Sequence, residues 1–178
     1  MRYFKRNHMN LYTKYYLYII GCCYILGCII SLIMNIDFFL INESNSCLTP
    51  LYGLNQFNRF KMIVSNNSIV ALRYMLFGLL SYGILSSLYS FYNGYVLGTV
   101  IIRGSYCLSL ADIVSCTLPH IIFEEIALCL AGYIGFMLSH QIFLLERSIP
   151  YKKIIALCIT SILLIFLSAF IESYVSMS

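Results

Sequence analysis

The chain has 178 residues, of which 61% are hydrophobic and 10% charged, and its mean hydropathy is +0.85. A water-soluble domain carries roughly 25% charged and 45–50% apolar residues, so a soluble globular fold is excluded and lipid must solvate much of the surface. The net charge of +4 does not point to nucleic acid, because the basic residues lie in short clusters that flank apolar runs.

The first apolar run, 15–35, follows Arg2, Lys5, Arg6 and Lys14. At 1.5 Å per residue, a helix of about 20 residues crosses a hydrocarbon core of ~30 Å. It lacks the shorter apolar region and small-residue cleavage site of a signal peptide. It therefore reads as a retained anchor with its N-terminus inside, since Lys and Arg resist translocation. Residues 36–66, with Asp37, Glu43, Pro50, Arg59, Lys61 and many Asn, read as a loop outside the membrane. The Asn-x-Ser triplets at 42–44 and 66–68 read as chance in an Asn-rich chain. A second span is predicted over 68–90, with Arg73 near its outer end, where the side chain can snorkel to the interface.

Phe91-Tyr92-Asn93-Gly94 reads as a turn. A short third span over 95–110 follows, interrupted by Arg103-Gly104 and open to a re-entrant path. A fourth span, 112–138, carries Asp112, Pro119, His120, Glu124 and Glu125. Pro119 lacks an N–H and clashes with the preceding turn, which predicts a kink or restart. A basic loop at 146–153, with Arg147, Lys152 and Lys153, precedes the last span, 154–170. Placing both basic regions in the cytosol requires an even number of crossings between them. The expected fold is all-α: one integral membrane domain over 1–178, a polytopic transmembrane helical bundle of about five spans, one kinked or re-entrant near Pro119. Cys22, Cys23, Cys28, Cys107, Cys116, Cys129 and Cys158 lie in or beside apolar runs without CxxC spacing and read as small apolar packers. Cys47 alone lies in a polar stretch.

In lipid, helices associate through small residues that let backbones approach. Gly94 and Gly98 form a GxxxG, and Ala127, Ala131 and Gly135 form a small stripe at i, i+4 and i+8; both are expected at helix contacts. Ionisable groups inside a span cost a few kcal/mol each and usually face a partner or a water-filled cavity. His120 and Glu124 are four apart and share a helix face; Glu125 is turned aside, and Glu172 ends another span. Asn93, Arg103 and Asp112 are the other polar groups at membrane depth. Three readings stay open: a structural or partner-binding cluster, an acid–base pair, and a metal site in which Glu125, Asp112 or Glu172 joins His120 and Glu124. No HExxH, GxSxG or phosphate loop is present, so no cofactor is expected in this chain. His8 and His140 fall near the predicted membrane edges.

Asn66-Asn67-Ser-Ile-Val-Ala, Phe91-Tyr92-Asn93-Gly94-Tyr-Val-Leu-Gly98, Leu118-Pro119-His120-Ile-Ile-Phe-Glu124 and Ala169-Phe-Ile-Glu172 occur in this order. Together they resemble the bacterial and archaeal membrane family named after stage II sporulation protein M, over roughly residues 60–175. Ile121 departs from the pattern, which usually has Gly after the His. The resemblance implies one of two roles. Sporulation members act as scaffolds for peptidoglycan hydrolases. Short members resemble the membrane protein encoded beside an ABC-type ATPase in circular bacteriocin clusters. Length and the His120–Glu124 pair favour the second, so the implied partners are an ABC-type ATPase that binds the ATP, other membrane subunits and a hydrophobic peptide in the bilayer. The implied location is the bacterial cytoplasmic membrane, and a homo-oligomer is compatible with it. A scaffold or a permease subunit is the alternative.

Overall fold

A backbone crossing lipid must pair its N–H and C=O groups internally, and a helix does so within one segment. The computed structural model describes residues 2–34, 55–105, 109–143 and 151–174. These form five helices in chain order: α1 (Arg2–Met34), α2 (Gln56–Leu80), α3 (Ile84–Ser105), α4 (Leu110–Phe143) and α5 (Tyr151–Tyr174). No strand occurs among the described residues. Among the described residues, four stretches are long and apolar enough to cross a membrane: Tyr15–Met34, Gln56–Leu80, Ala111–Ile142 and Tyr151–Tyr174. α3, with 22 residues, is of sufficient length but more polar, and it buries Ser86, Ser90, Gly94 and Gly98 on one face.

The helix boundaries correct the expected spans in three places. Residues 56–66 belong to α2, not to an outside loop, and 36–54 lie outside the described residues. The turn expected at 91–94 is helical. The chain reverses instead at Ser81-Tyr82-Gly83, where Tyr82 and Gly83 have φ of 51° and 86°. Gly83 N–H donates to the Gly78 carbonyl at 3.0 Å, and Leu85 N–H donates to Ser81 Oγ at 2.8 Å. One turn thus satisfies both the end of α2 and the start of α3. The expected third span, 95–110, is accordingly the second half of α3, which stops at Ser105; residues 106–108 lie outside the described residues. Finally, α4 continues as helix through Pro119, so no re-entrant path forms there. Ser168 Oγ of α5 donates to the His120 carbonyl at 3.0 Å and ties α5 to α4 one residue past the proline; the carbonyl that Pro119 deprives of its helical donor is that of Ser115. Arg73 lies on the α2–α3 turn side, with Nη1 donating to the Tyr89 hydroxyl at 3.4 Å.

Two parallel helix pairs build the bundle. α1 runs beside α3 in constant register: Ser90 Oγ donates to the Ile20 carbonyl at 3.0 Å, and Ser31 bonds Thr99 at 3.0 Å. Glycine makes this approach possible. A Cβ at Gly27 would fall on the Phe91 carbonyl, one at Gly94 on the Tyr24 carbonyl, and one at Gly98 within 2.8 Å of the Cys28 carbonyl. α2 runs beside α4 in the same way, with a Cβ at Gly135 falling on the Met75 carbonyl and one at Gly78 within 2.7 Å of the Gly132 carbonyl. α5 is antiparallel to α4, and Ser161 Oγ donates to the Ala127 carbonyl at 2.9 Å. Interhelical hydroxyl bonds of this kind contribute about 0.6 kcal/mol each in lipid.

α4 is the central helix, touching all four others. Ala127, Leu128, Ala131, Tyr133 and Met137 of α4 form the core with Tyr16 and Ile20 of α1, Ala71 and Tyr74 of α2, and Ile165 of α5. Tyr16 stacks on Phe136 with ring centroids 4.4 Å apart, and its hydroxyl bonds the Gly83 carbonyl at 3.1 Å and the Ser86 hydroxyl. The start of α5 is tied to the same end, where Lys153 Nζ donates to the Tyr133 hydroxyl at 3.0 Å. Large apolar residues such as Ile25, Leu72, Ile122, Leu163 and Phe170 point outward, as lipid-facing residues do.

Candidate functional site

Toward the end of the bundle where α2 and α4 begin and α1, α3 and α5 finish, the helices line an open cavity of about 550 Å³. Every helix contributes to its wall: Tyr24 from α1, Asn66 and Asn67 from α2, Asn93 from α3, His120, Glu124 and Glu125 from α4, and Glu172 from α5. Ile63, Val70, Val96, Leu97 and Leu128 supply its apolar surface. The architecture explains the gathering. The close α2–α4 approach at Gly78 and Gly135 lies toward the opposite end of those two helices, which leaves room between them here.

The two glutamates of α4 have different surroundings. Glu125 Oε1 accepts from Ser90 Oγ at 3.4 Å and from Cys129 Sγ at 3.4 Å. Glu124 faces the cavity with Asn67 on one side and the charge of Glu172 bearing on it from α5. Arg59, one face-turn before Ile63 on α2, supplies the positive charge that acts on Glu172. Asn93 Nδ2 donates to the Tyr74 hydroxyl at 3.4 Å. The His120 ring lies against the Cys116 carbonyl, and its Nδ1 makes no hydrogen bond among the described residues. His120 and Glu124 therefore share the cavity without bonding to each other. No group of three His, Cys, Asp or Glu side chains suited to a metal forms among the described residues, which leaves the metal reading without a third ligand.

Two residues grouped with these from the sequence lie elsewhere. Asp112 is exposed in the first turn of α4: it accepts from Ser109 Oγ at 2.6 Å, and its N–H donates back to Ser109 Oγ at 3.2 Å. That is a helix cap, and it removes Asp112 from the cavity. Arg103 is exposed in the last turn of α3, where a cation complements the helix dipole. Gly94 and Gly98 are buried against α1, while Ala127, Ala131 and Gly135 are buried within the α4 contacts. Ile121 is helical and lines the cavity, so the backbone passes His120 as ordinary helix. His140 is half-buried beside Phe136, ring centroids 6.3 Å apart; the His8 side chain lies outside the described residues.

Among the polar cavity residues, Tyr24, Asn66, Asn67 and Thr117 were not singled out by the sequence reasoning about chemistry. The signal for Asn67 was its place on the stripe Arg59, Ile63, Asn67, Ala71, Tyr74, Gly78, which is the buried face of α2.

Fold and cavity together define a polytopic helical membrane protein with a polar chamber among its transmembrane helices. The model of the stage II sporulation protein M family matches residues 19–177, and the chain belongs to that family. An uncharacterized protein of Methanocaldococcus jannaschii is 32% identical over 132 residues, which cover 68% of this chain and 72% of that protein. No solved structure matches the chain at a significant level.

Proposed function

We propose that the chain is the membrane component of a machinery that matures and exports a circular bacteriocin, a hydrophobic helical peptide closed head to tail, together with an ABC-type ATPase. One observation carries this reading: the ionisable groups line a chamber within the membrane-spanning bundle, with His120, Glu124, Glu125 and Glu172 set among apolar side chains. Charged groups at such depth are costly unless they serve a ligand or pathway, and a hydrophobic peptide partitions to that depth. A volume of about 550 Å³ falls within the ~300–1,000 Å³ of small-ligand sites, so it suits a chain end and not a whole helical peptide. The Lys and Arg asymmetry supports an N-terminus inside, and the proposed machinery belongs to the bacterial cytoplasmic membrane; the chamber then faces the outer half of the bilayer.

His120 and Glu124 are placed to hold and move a proton at a peptide terminus. Ring closure also needs an activated acyl group, for which the partner ATPase or the energy of leader cleavage is the source. The absence of a His120–Glu124 bond favours a second reading, a binding or scaffold subunit that presents the peptide and performs no chemistry itself. Cells carrying the precursor, the ATPase and either His120→Ala or Glu124→Gln separate the two. At wild-type membrane abundance, the first reading expects mature cyclic peptide to vanish from the mass spectrum while precursor persists. Mature peptide at normal yield from both variants removes these residues from the chemistry.

A further inference from the structure

Asn67 narrows the chemistry of the ligand. It is only 4% exposed, and Asn66 Nδ2 donates to its Oδ1 at 3.5 Å. Its own Nδ2 is aimed toward the Glu124 carboxyl but closes no hydrogen bond among the described residues. An amide donor buried without a partner is costly, and such groups in folded proteins usually have a ligand or water to meet. The rest of the chamber has the opposite imbalance. Glu125 is already engaged with Ser90 and Cys129, while the Glu124 carboxyl lies in the field of Glu172, which the charge of Arg59 offsets in part. The chamber thus offers two unpartnered nitrogens, the Asn67 Nδ2 donor and His120 Nδ1, two acceptor carboxyls, and a wall of Ile63, Val70, Val96 and Leu97.

A complementary ligand carries a cationic donor, an acceptor oxygen next to it, and an apolar side chain. A bare alkali cation leaves the volume and the apolar wall unused. A free carboxylate would meet two like charges. An α-ammonium followed by a carbonyl has the required pattern. We infer that the chamber binds the N-terminal residue of an apolar peptide, with its ammonium on Glu124 and Glu172 and its first carbonyl accepting from Asn67 Nδ2. This rests on the peptide-handling reading above and adds which end of the peptide enters.

The test uses the full-length protein in lipid nanodiscs and a short Leu/Ala peptide amide with a C-terminal fluorophore, presented with a free or an acetylated N-terminus. Binding is read by fluorescence anisotropy against empty nanodiscs. The free-amine probe is expected to bind at least tenfold tighter than the acetylated probe, since hydrogen bonds to charged groups are among the stronger ones. Glu124→Gln should abolish that preference by weakening only the free-amine probe. Asn67→Ala should weaken both probes, because both retain the first carbonyl. Asp112→Asn, outside the chamber, should leave both unchanged. Equal binding of the two probes to the wild-type protein overturns N-terminal recognition while leaving peptide binding standing. Binding of neither probe above empty nanodiscs overturns the peptide-handling reading, and this inference with it. The comparison of probes on unaltered protein holds even where a variant fails to fold.

Discussion

Two glycines on one helix should respond to the same substitution with opposite signs. At Gly27 of α1 an added Cβ falls on the Phe91 carbonyl and lies 3.0 Å from the Tyr95 nitrogen, whereas at Gly21 nothing comes within 4 Å. The atoms met at Gly27 are backbone, so no rotamer change relieves the contact and α1 must move off α3. Overpacking of this kind costs about 1–3 kcal/mol. Displacement also strains the Ser90–Ile20 and Ser31–Thr99 bonds, each contributing about 0.6 kcal/mol. Against this stands a gain of ~1 kcal/mol from replacing Gly by Ala in a helix. The net expectation for Gly27→Ala is a loss of about 2 kcal/mol, and for Gly21→Ala a change between zero and a gain of about 1 kcal/mol. A separation of about 3 kcal/mol is roughly a hundredfold in the unfolding equilibrium. Reversible unfolding in mixed micelles, followed by circular dichroism over a range of SDS mole fraction, measures it. Equal stability of the two variants would refute the close α1–α3 approach.

Three further outcomes follow from single contacts. Tyr16→Phe removes the hydroxyl that bonds the Gly83 carbonyl and Ser86 and should lower stability by about 1 kcal/mol in the same unfolding assay. Ser109→Ala removes the α4 cap at a cost of about 1 kcal/mol, while Asp112→Asn should leave peptide maturation intact; loss of product in Asp112→Asn would return that residue to the site. In a cysteine-depleted background, a Cys replacing Tyr151 should react with an impermeant maleimide only from the cytosolic side and one replacing Ser109 only from outside, because these positions lie at opposite ends of the bundle; the reverse pattern would invert the topology.

The class of the protein was legible because composition alone rules out water as its solvent, and the helical fold follows from the demand that lipid makes on the backbone. Helix ends were less legible. Phe91-Tyr92-Asn93-Gly94 has turn residues, yet Gly94 is there to admit the Tyr24 carbonyl, and Asn93 is there to meet Tyr74. The actual reversal carries Tyr82 at φ 51°, a residue whose type does not announce a left-handed backbone. Likewise Pro119 signals a break in water, but α4 continues through it, as membrane helices packed among neighbours can.

The polar cluster was legible in part for a related reason. In a soluble helix, apolar residues mark the buried face. In a bundle surrounded by lipid the apolar residues can face outward, and the interior is marked by small and polar side chains. α5 buries Ser161, Ser168, Ala169 and Ser173 while exposing Ile162, Leu163, Phe166 and Phe170. Read by that inverted rule, the spacing of Arg59, Ile63, Asn67, Ala71, Tyr74 and Gly78 identifies the inner face of α2 and puts Asn67 beside the acidic groups of α4. Read by the soluble rule, the same Arg, Lys and Asn residues make 56–66 look like a solvated loop. Asp112 shows the converse: its charge suggested the chamber, but it stands three residues from a serine at a helix start, and a helix end satisfies an acidic side chain without any site. Which intramembrane charges form the chamber is therefore decided by the register of α2 against α4, and that register is set by Gly78 and Gly135, where a single methyl would meet backbone.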